Sequence, residues 1–354
     1  MTIFDKIENH FKAQTPFVVY RKPNENIISG FFQNSKEIFF TEDFTCSGFV
    51  FSPFDNKKKS ILIPENESEF YQEKLILSSL SLNINKDLQA DDSSKLHFTN
   101  LVEKILEGIS KNQFQKVVAS RREIQNVPNF KLVDTYKSIL QNYKNAFGYI
   151  WYHPDIGLWL GATPETLLNI TGTNFSTMSL AGTQLFKKIK DVSWQAKELE
   201  EQQLVTTFIT SQINEIATNL KINKKETIKA GNLLHLRTKI SGEILQKKSS
   251  LKQLINALHP TPAVCGFPRS QAKEFILNNE NYNRSYYTGY LGELNLEDKI
   301  KKTKKSSIFV NLRCMEIKNK EAIIYVGGGI TKESSILKEW EETVSKSEIM
   351  KLVL

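Results

Sequence analysis

Only three cysteines, Cys46, Cys265 and Cys314, occur in 354 residues. Their odd number and wide spacing exclude a disulfide framework and give no zinc-site pattern. No apolar run reaches membrane-spanning length. The first residues, MTIFDKIENHFKAQ, carry acids where a secretory leader would have a basic start and an unbroken apolar stretch. A cytosolic protein is expected. No repeat of fixed period is present. The formal charge is +8, from 47 Lys and Arg against 39 Asp and Glu. Part of the excess sits in two short clusters, Lys57 to Lys59 and Lys299 to Lys305. Neither is interleaved with aromatics or joined to a nucleic-acid motif, so no nucleic-acid partner is expected. The second cluster, KIKKTKKSS, lies between strand-like stretches and reads as the solvated tip of a loop or hairpin. A small anionic substrate is compatible with the charge.

What is present is an ordinary folding composition, 40% hydrophobic with 10% aromatic residues, enough for one large domain or two smaller ones. Ile3, Phe4, Ile7 and Phe11 fall on one side of a helix. Residues 1 to about 90 alternate short aromatic-rich strand candidates (FVVYRK, NIISGFFQ, EIFFTED, GFVFSPF) with polar turns. The polar stretch Asp91 to Lys95 is the candidate boundary, dividing a strand-rich part (1–90) from the remainder (95–354), both within one integrated domain. A helix follows, with Phe98, Leu101, Val102, Ile105, Leu106 and Ile109 at helical spacing. Helices are expected near 131–143, 194–220, 249–257, 270–279 and 334–350. Strands are expected in FQKVVASRRE, GYIWYHP, IGLWLGAT, LLNITG, NFSTMSLAGT, YYTGYLGELNL, IFVNLRCMEIK and EAIIYVGGG. Hairpin-like runs with helices among them predict a mixed, mainly antiparallel α/β (α+β) protein.

Two glutamate pairs share one spacing: Glu198 with Glu201, and Glu339 with Glu342. Three residues apart on a helix, both carboxylates of a pair leave the same face. Brought together, the pairs would make an acidic cleft suited to a hard cation such as Mg²⁺. Plainer readings stay open. Glu198, Glu200 and Glu201 suit the first turns of a helix, where negative charge complements the dipole. Glu342 with Lys346 suits a surface ion pair worth roughly 0.3–0.5 kcal/mol. In the second helix, Ser334 or Ser335 can cap, and Leu337, Trp340 and Val344 define an apolar side.

Lys116 shares a strand face with Phe114 and Val118. Buried there, with desolvation or a neighbouring cation favouring its neutral form, it could serve as a general base; a lysine snorkelling to water is the alternative. Glu165, in WLGATPETLL, sits where a strand gives way to a turn. It is either a carboxyl that keeps its proton and acts as an acid, or an exposed turn residue. Gly327, Gly328 and Gly329 suit either an anion-binding nest between strand and helix or a tight turn. Among His235, Arg237, Tyr287 and Arg313, polar residues in or beside apolar sequence, Arg313 stands out. A buried guanidinium grips a carboxylate or phosphate, whether a ligand's or the protein's own.

Taken in order, QKVVASR, LGATPETLL, SLAGTQ, KELEEQQLV, LLHLRTKISGEI, LHPTPAVCGFPR, NRSYYTGYLGEL, VNLRCMEI, VGGGI and KEWEETVSK resemble the chorismate-utilising enzymes. That family includes isochorismate synthase, salicylate synthase, anthranilate synthase component I and aminodeoxychorismate synthase component I. The resemblance runs from about residue 97 to 350 and implies the chorismate-binding fold, a large mainly antiparallel layered β-sheet sandwich flanked by helices, with the site in a cleft between the sheets. It implies Lys116 as the base that activates water and Glu165 as the acid that protonates the departing C4 hydroxyl. Glu201 and Glu342 match Mg²⁺ ligands, and Glu198 and Glu339 match positions that hold metal-bound waters or restrain the site. Gly182, Thr183, His235, Ala263, Tyr287, Arg313, Gly327, Gly329 and Lys346 match substrate-contacting positions.

Within the resemblance, lysine at 116 matches water-using members, whereas ammonia-using members have glutamine there. Ala181 lacks the lysine common in aminodeoxychorismate synthases, and Ala263 stands where salicylate synthases often have threonine. Thr163, Gln202 and Gln203 depart from the usual pattern without touching the acid or the metal positions. The implied protein is an Mg²⁺-dependent isochorismate synthase, an isomerase serving menaquinone or siderophore biosynthesis. It would be a monomer acting on chorismate with no obligate glutamine amidotransferase and no membrane partner.

Overall fold

The computed structural model describes residues 1–77, 92–186, 192–230, 233–245, 250–298 and 300–354. Asp91, where the candidate boundary begins, and Lys299 of the basic cluster lie outside them. The helices are α1 (Ile3–Ala13), α2 (Asp92–Ser110), α3 (Leu132–Asn142), α4 (Ala196–Ile213), α5 (Leu251–Leu258), α6 (Arg269–Asn279) and α7 (Ile336–Lys351). The N-terminal strands are β1 (Phe17–Arg21), β2 (Ile27–Gln33), β3 (Phe39–Thr41), β4 (Gly48–Ser52), β5 (Ser60–Pro64) and β6 (Ser68–Lys74). Then come β7 (Lys116–Asn126), β8 (Phe147–His153), β9 (Gly157–Thr163), β10 (Thr166–Thr171), β11 (Asn174–Leu185), β12 (Ala217–Ile222), β13 (Glu226–Ala230) and β14 (Leu233–Ile244). The last are β15 (Gly266–Phe267), β16 (Tyr290–Glu297), β17 (Lys304–Val310), β18 (Cys314–Lys318) and β19 (Glu321–Thr331). No helix among the described residues is long and apolar enough to cross a membrane.

Two antiparallel sheets stack face to face. The nine-stranded sheet runs β15-β7-β19-β18-β9-β8-β1-β2-β6; the other runs β12-β14-β11-β10-β17-β16-β4-β5-β3, with β13 also on β14. The strands before residue 75 complete both sheets. The strand period of two explains the layering. In β1, Val18 and Tyr20 face the other sheet and pack with Phe49, Phe51, Trp151 and Phe309, while Phe17 and Val19 face outward onto α1 and α3. On the opposite side, Val205, Phe208, Ile209 and Ile213 of α4 cover the second sheet together with α5. Each sheet is thus buried on both faces, which is why several strands read as unbroken apolar runs.

Several expectations shift. The helix near 194–220 ends at Ile213, because Ala217–Ile222 turns back to pair with β14. YYTGYLGELNL is strand only from Tyr290, since Ser285 and Thr288 take left-handed backbone in a turn. IFVNLRCMEIK is two strands: β17 belongs to one sheet and β18 to the other, and the chain crosses between them at Asn311–Arg313. Gly327–Gly329 lie inside β19, paired with Ser120–Val118 of β7, so they form no nest or turn. Ser335 starts α7 without a side-chain cap, and Leu337 is exposed; Trp340 carries the apolar contact. β5, β6, β12, β13, β14 and β15 were not among the expected strands. Lys304 and Lys305 open β17 beside the turn that joins it to β16, the hairpin expected for KIKKTKKSS.

Gly292 occupies the centre of the ten-stranded sheet with φ +151, and a Cβ there would lie 2.0 Å from the Ser307 carbonyl oxygen. Gly292→Ala is expected to lower stability by on the order of 3 kcal/mol, read from chemical denaturation. An unchanged midpoint would contradict this packing.

Candidate active site

The crossing from β17 to β18 opens a cleft between the sheets. β19 supplies Tyr325 to Gly329, β11 supplies Leu180 to Thr183, β14 supplies His235, and the first turns of α4 and α7 close it with their acids. The space is small: the centres of water-sized molecules have about 100 Å³. A small molecule suits it and a polymer does not.

Both helices deliver their carboxylates to one place. A Cβ on Gly328 would lie 3.3 Å from Glu339 Oε2 and 3.7 Å from Glu342 Oε1, and one on Gly329 would lie 2.6 Å from Glu201 Oε1. The bare backbone of β19 is what lets these groups approach. Glu198 also lines the cleft, but its Oε2 accepts from the Gln195 N–H at 3.0 Å, so it caps its own helix as well.

Each of the other three acids is met by a lysine. Lys116 donates to Glu201 at 2.6 Å, Lys197 to Glu339 at 2.5 Å, and Lys346 to Glu342 at 2.6 Å and to the Gly327 carbonyl at 2.9 Å. Burial works against charge on Glu201, but Lys116 outweighs it and holds the carboxyl below the usual range. At Glu339, burial and then repulsion from Glu342 prevail over Lys197, and its affinity for a proton rises.

Lys116 is fully buried, so snorkelling is excluded. It does not line the cleft; it lies behind Glu201 and against Gly329. The neighbour expected to unload it was a cation or bare apolar surface, and the structure provides a carboxylate instead. Glu165 is 3% exposed, and burial pushes its carboxyl to about 8 against the pull of Lys116. It is a protonated acid at neutrality, not an exposed turn residue. Its backbone N–H is held by Thr163 Oγ1.

His235 follows from a local irregularity. At Gly182, φ +73, the pairing of β11 with β14 slips between Ala181 and Thr183. The freed Gly182 carbonyl accepts from His235 Nδ1 at 3.0 Å. Burial, then the charges of Arg313 and Lys346, depress the imidazole to about 3. It is neutral, and Nε2 is a buried acceptor with no partner among the described residues. Arg313, at the sheet crossing with φ +48, keeps a buried Nη1 without a partner among the described residues. Tyr287 stacks on Tyr325 and stays protonated through burial. Ala263, Thr183, Gly327 and Lys346 complete the wall. Arg237 instead pairs with Glu226 outside the cleft. Gln202 is buried and ties α4 to Ser179 and Thr238, whereas Gln203 is exposed.

Lys197, Tyr325 and Thr288 also line the cleft and were not singled out from the sequence. Lys197 had a signal: it stands one helical turn before Glu201. Among the described residues no three His, Cys, Asp or Glu side chains are gathered as a ready metal cage. The donor set nevertheless fits a hard divalent ion. Glu201 and Glu342 offer carboxylate oxygens only, are more open than Glu339 at 15% and 26% side-chain exposure against 2%, and already hold cations as ammonium groups.

Gly329→Ala would press its methyl into both Glu201 and Lys116, while Gly328→Ala meets only the ends of flexible glutamates. The first is expected to lower stability by about 1–3 kcal/mol and the second by less, measured by thermal unfolding. The reverse order would contradict this placement.

The sequence profile described as "Chorismate binding enzyme" matches residues 50–354. The chain is 27% identical over 316 residues to isochorismate synthase EntC of Escherichia coli (strain K12), covering 84% of this chain and 78% of that one. It is 29% identical over 249 residues to the vibriobactin-specific isochorismate synthase of Vibrio cholerae, covering 68% and 61%. The solved structure of MenF, the menaquinone-specific isochorismate synthase of Escherichia coli, superposes with a TM-score of 0.77 at 20% identity, covering 96% of this chain and 89% of that one.

Proposed function

The chain belongs to the chorismate-binding enzymes, and from that membership we propose that it is an isochorismate synthase. The observation that carries the reading is a sealed glutamate that keeps its proton on the wall of one small cleft, with a sealed lysine directly behind the cleft's Glu201. An amine and a protonated carboxyl are what adding water at one carbon and expelling hydroxyl from another require. The relatives bearing the isochorismate synthase name support it.

In this reading Arg313 Nη1, Lys346 and the Tyr287 hydroxyl take the carboxylates of chorismate, and His235 Nε2 accepts from a substrate hydroxyl. Glu201 and Glu342 would hold Mg²⁺, with Glu198 and Glu339 around it. When bound, the metal supplies charge neutralisation and orientation at the ring carboxylate. Lys116 takes a proton from water at Nζ, and the water oxygen bonds to C2. The ring double bond migrates, the C4–O bond breaks, and Glu165 gives its proton to the departing hydroxyl, which leaves as water. Use of Lys116 as a base requires it to enter the step as the neutral amine, having given up its ammonium proton and exchanged its 2.6 Å contact with Glu201 for one with water.

Because water is the nucleophile, the enzyme acts without a glutamine amidotransferase, and we place it in the cytosol as a monomer. The product serves menaquinone assembly, with a siderophore as the competing fate; a menaquinone requirement after gene loss under iron-replete growth separates them.

Pure protein with chorismate and Mg²⁺ is expected to yield isochorismate by chromatography. Salicylate with pyruvate, or anthranilate dependent on ammonia, would overturn the assignment. Lys116→Ala is expected to abolish turnover while chorismate binding stays measurable; full activity would remove it as the base.

The pH profile follows from Glu165. Its carboxyl must enter the reaction protonated, so turnover is expected to decline as pH rises through about 8. This limb is expected to disappear in Glu165→Gln along with turnover. Activity that still rises above that pH would contradict the acid role.

A further inference from the structure

Among the described ion pairs of the cleft, Lys197 to Glu339 is the one that joins α4 to α7. Lys116 reaches α4 from β7, and Lys346 and Glu342 share a helix. Glu339 is 2% exposed. A carboxylate buried to that degree is costly without a partner, and Lys197 is the cation that meets it, reaching in at 28% side-chain exposure. Lys197 lies one turn before Glu201 and therefore on the same face of α4. Glu339 lies three residues before Glu342 on α7. One turn further along α4, buried Gln202 fixes that helix to Ser179 and Thr238 of its own sheet. Lys197 attaches α4 to α7 on the opposite wall, beside the Lys116–Glu201 pair that ties it to β7.

We propose that Lys197 is a positioning residue. By engaging Glu339 it docks the first turns of α4 on α7 and so sets the separation of Glu201 and Glu342, the carboxylates offered to Mg²⁺. This inference rests on the magnesium reading given above. Lys197 acts through Glu339, not on the reacting atoms, so its removal weakens the metal site without removing the base or the acid.

The test is Mg²⁺ binding to the whole protein without substrate, followed by calorimetric titration and by the shift in melting temperature. It compares the unaltered protein with Lys197→Met, Lys197→Arg, Glu339→Gln and the Lys197→Met/Glu339→Gln double variant. Lys197→Met is expected to bind Mg²⁺ about 10–100-fold more weakly, and Lys197→Arg to recover most of the loss. If Lys197 works through Glu339, the double variant loses no more than Lys197→Met alone. Lys197→Gln, which keeps a shorter donor, carries the comparison if Lys197→Met does not fold. Unchanged Mg²⁺ affinity in a folded variant, or losses that simply add, would overturn the proposal. An unaltered protein that does not respond to Mg²⁺ would instead remove the magnesium reading on which it rests.

Discussion

The constraint on which this structure turns is the cost of gathering carboxylates where water is scarce. Glu201, Glu339 and Glu342 converge on the bare backbone of Gly328 and Gly329, and like charges at such range are held only by counter-charge. Three lysines from three elements supply it: Lys116 from β7, Lys197 from α4 and Lys346 from α7. Much of the surrounding architecture follows. β19 must be side-chain-free at the point of approach, and both helices must start at the cleft. The sheets must be rigid enough to keep the groups from drifting apart, which the aromatic layer of Phe49, Phe51, Trp151 and Phe309 between them provides.

The same cleft keeps other polar groups in reserve. Arg313 stands where the chain changes sheets, and His235 is aimed by the slip in pairing at Gly182. Each has a buried polar atom with no hydrogen-bond partner among the described residues. Buried polar atoms are rarely left unpaired, and the proposed function assigns these two to the substrate's carboxylate and hydroxyl. Glu165 belongs to the same economy of burial, because exclusion of water keeps the proton on the acid.

Much of this was legible in the sequence. The spacing of Glu198 with Glu201 and of Glu339 with Glu342 fixes shared helix faces. The ordered motifs point to the family and to the sandwich that the structure displays. What was not legible is tertiary in origin. Nothing local says that the helix after Gln195 must stop at Ile213 so that Ala217–Ile222 can join a sheet edge, or that IFVNLRCMEIK breaks at Arg313 to cross between layers. Three successive glycines read as an anion nest or a turn, because the partner that demands them, a carboxylate from a distant helix, is invisible in sequence. Lys116 shows the same limit: its strand position left burial and snorkelling both open and gave no sign of the anion beside it. Lys197 was hidden in a run of charged residues whose partner lies 142 positions away.

The account stands on water entering at C2 through Lys116 while hydroxyl leaves C4 through Glu165. Reaction of chorismate in heavy-oxygen water, with the product analysed by mass spectrometry and nuclear magnetic resonance, tests this most directly. The account predicts one heavy oxygen, at the C2 hydroxyl of isochorismate. Isochorismate without the label, its hydroxyl carried over from C4, would contradict it.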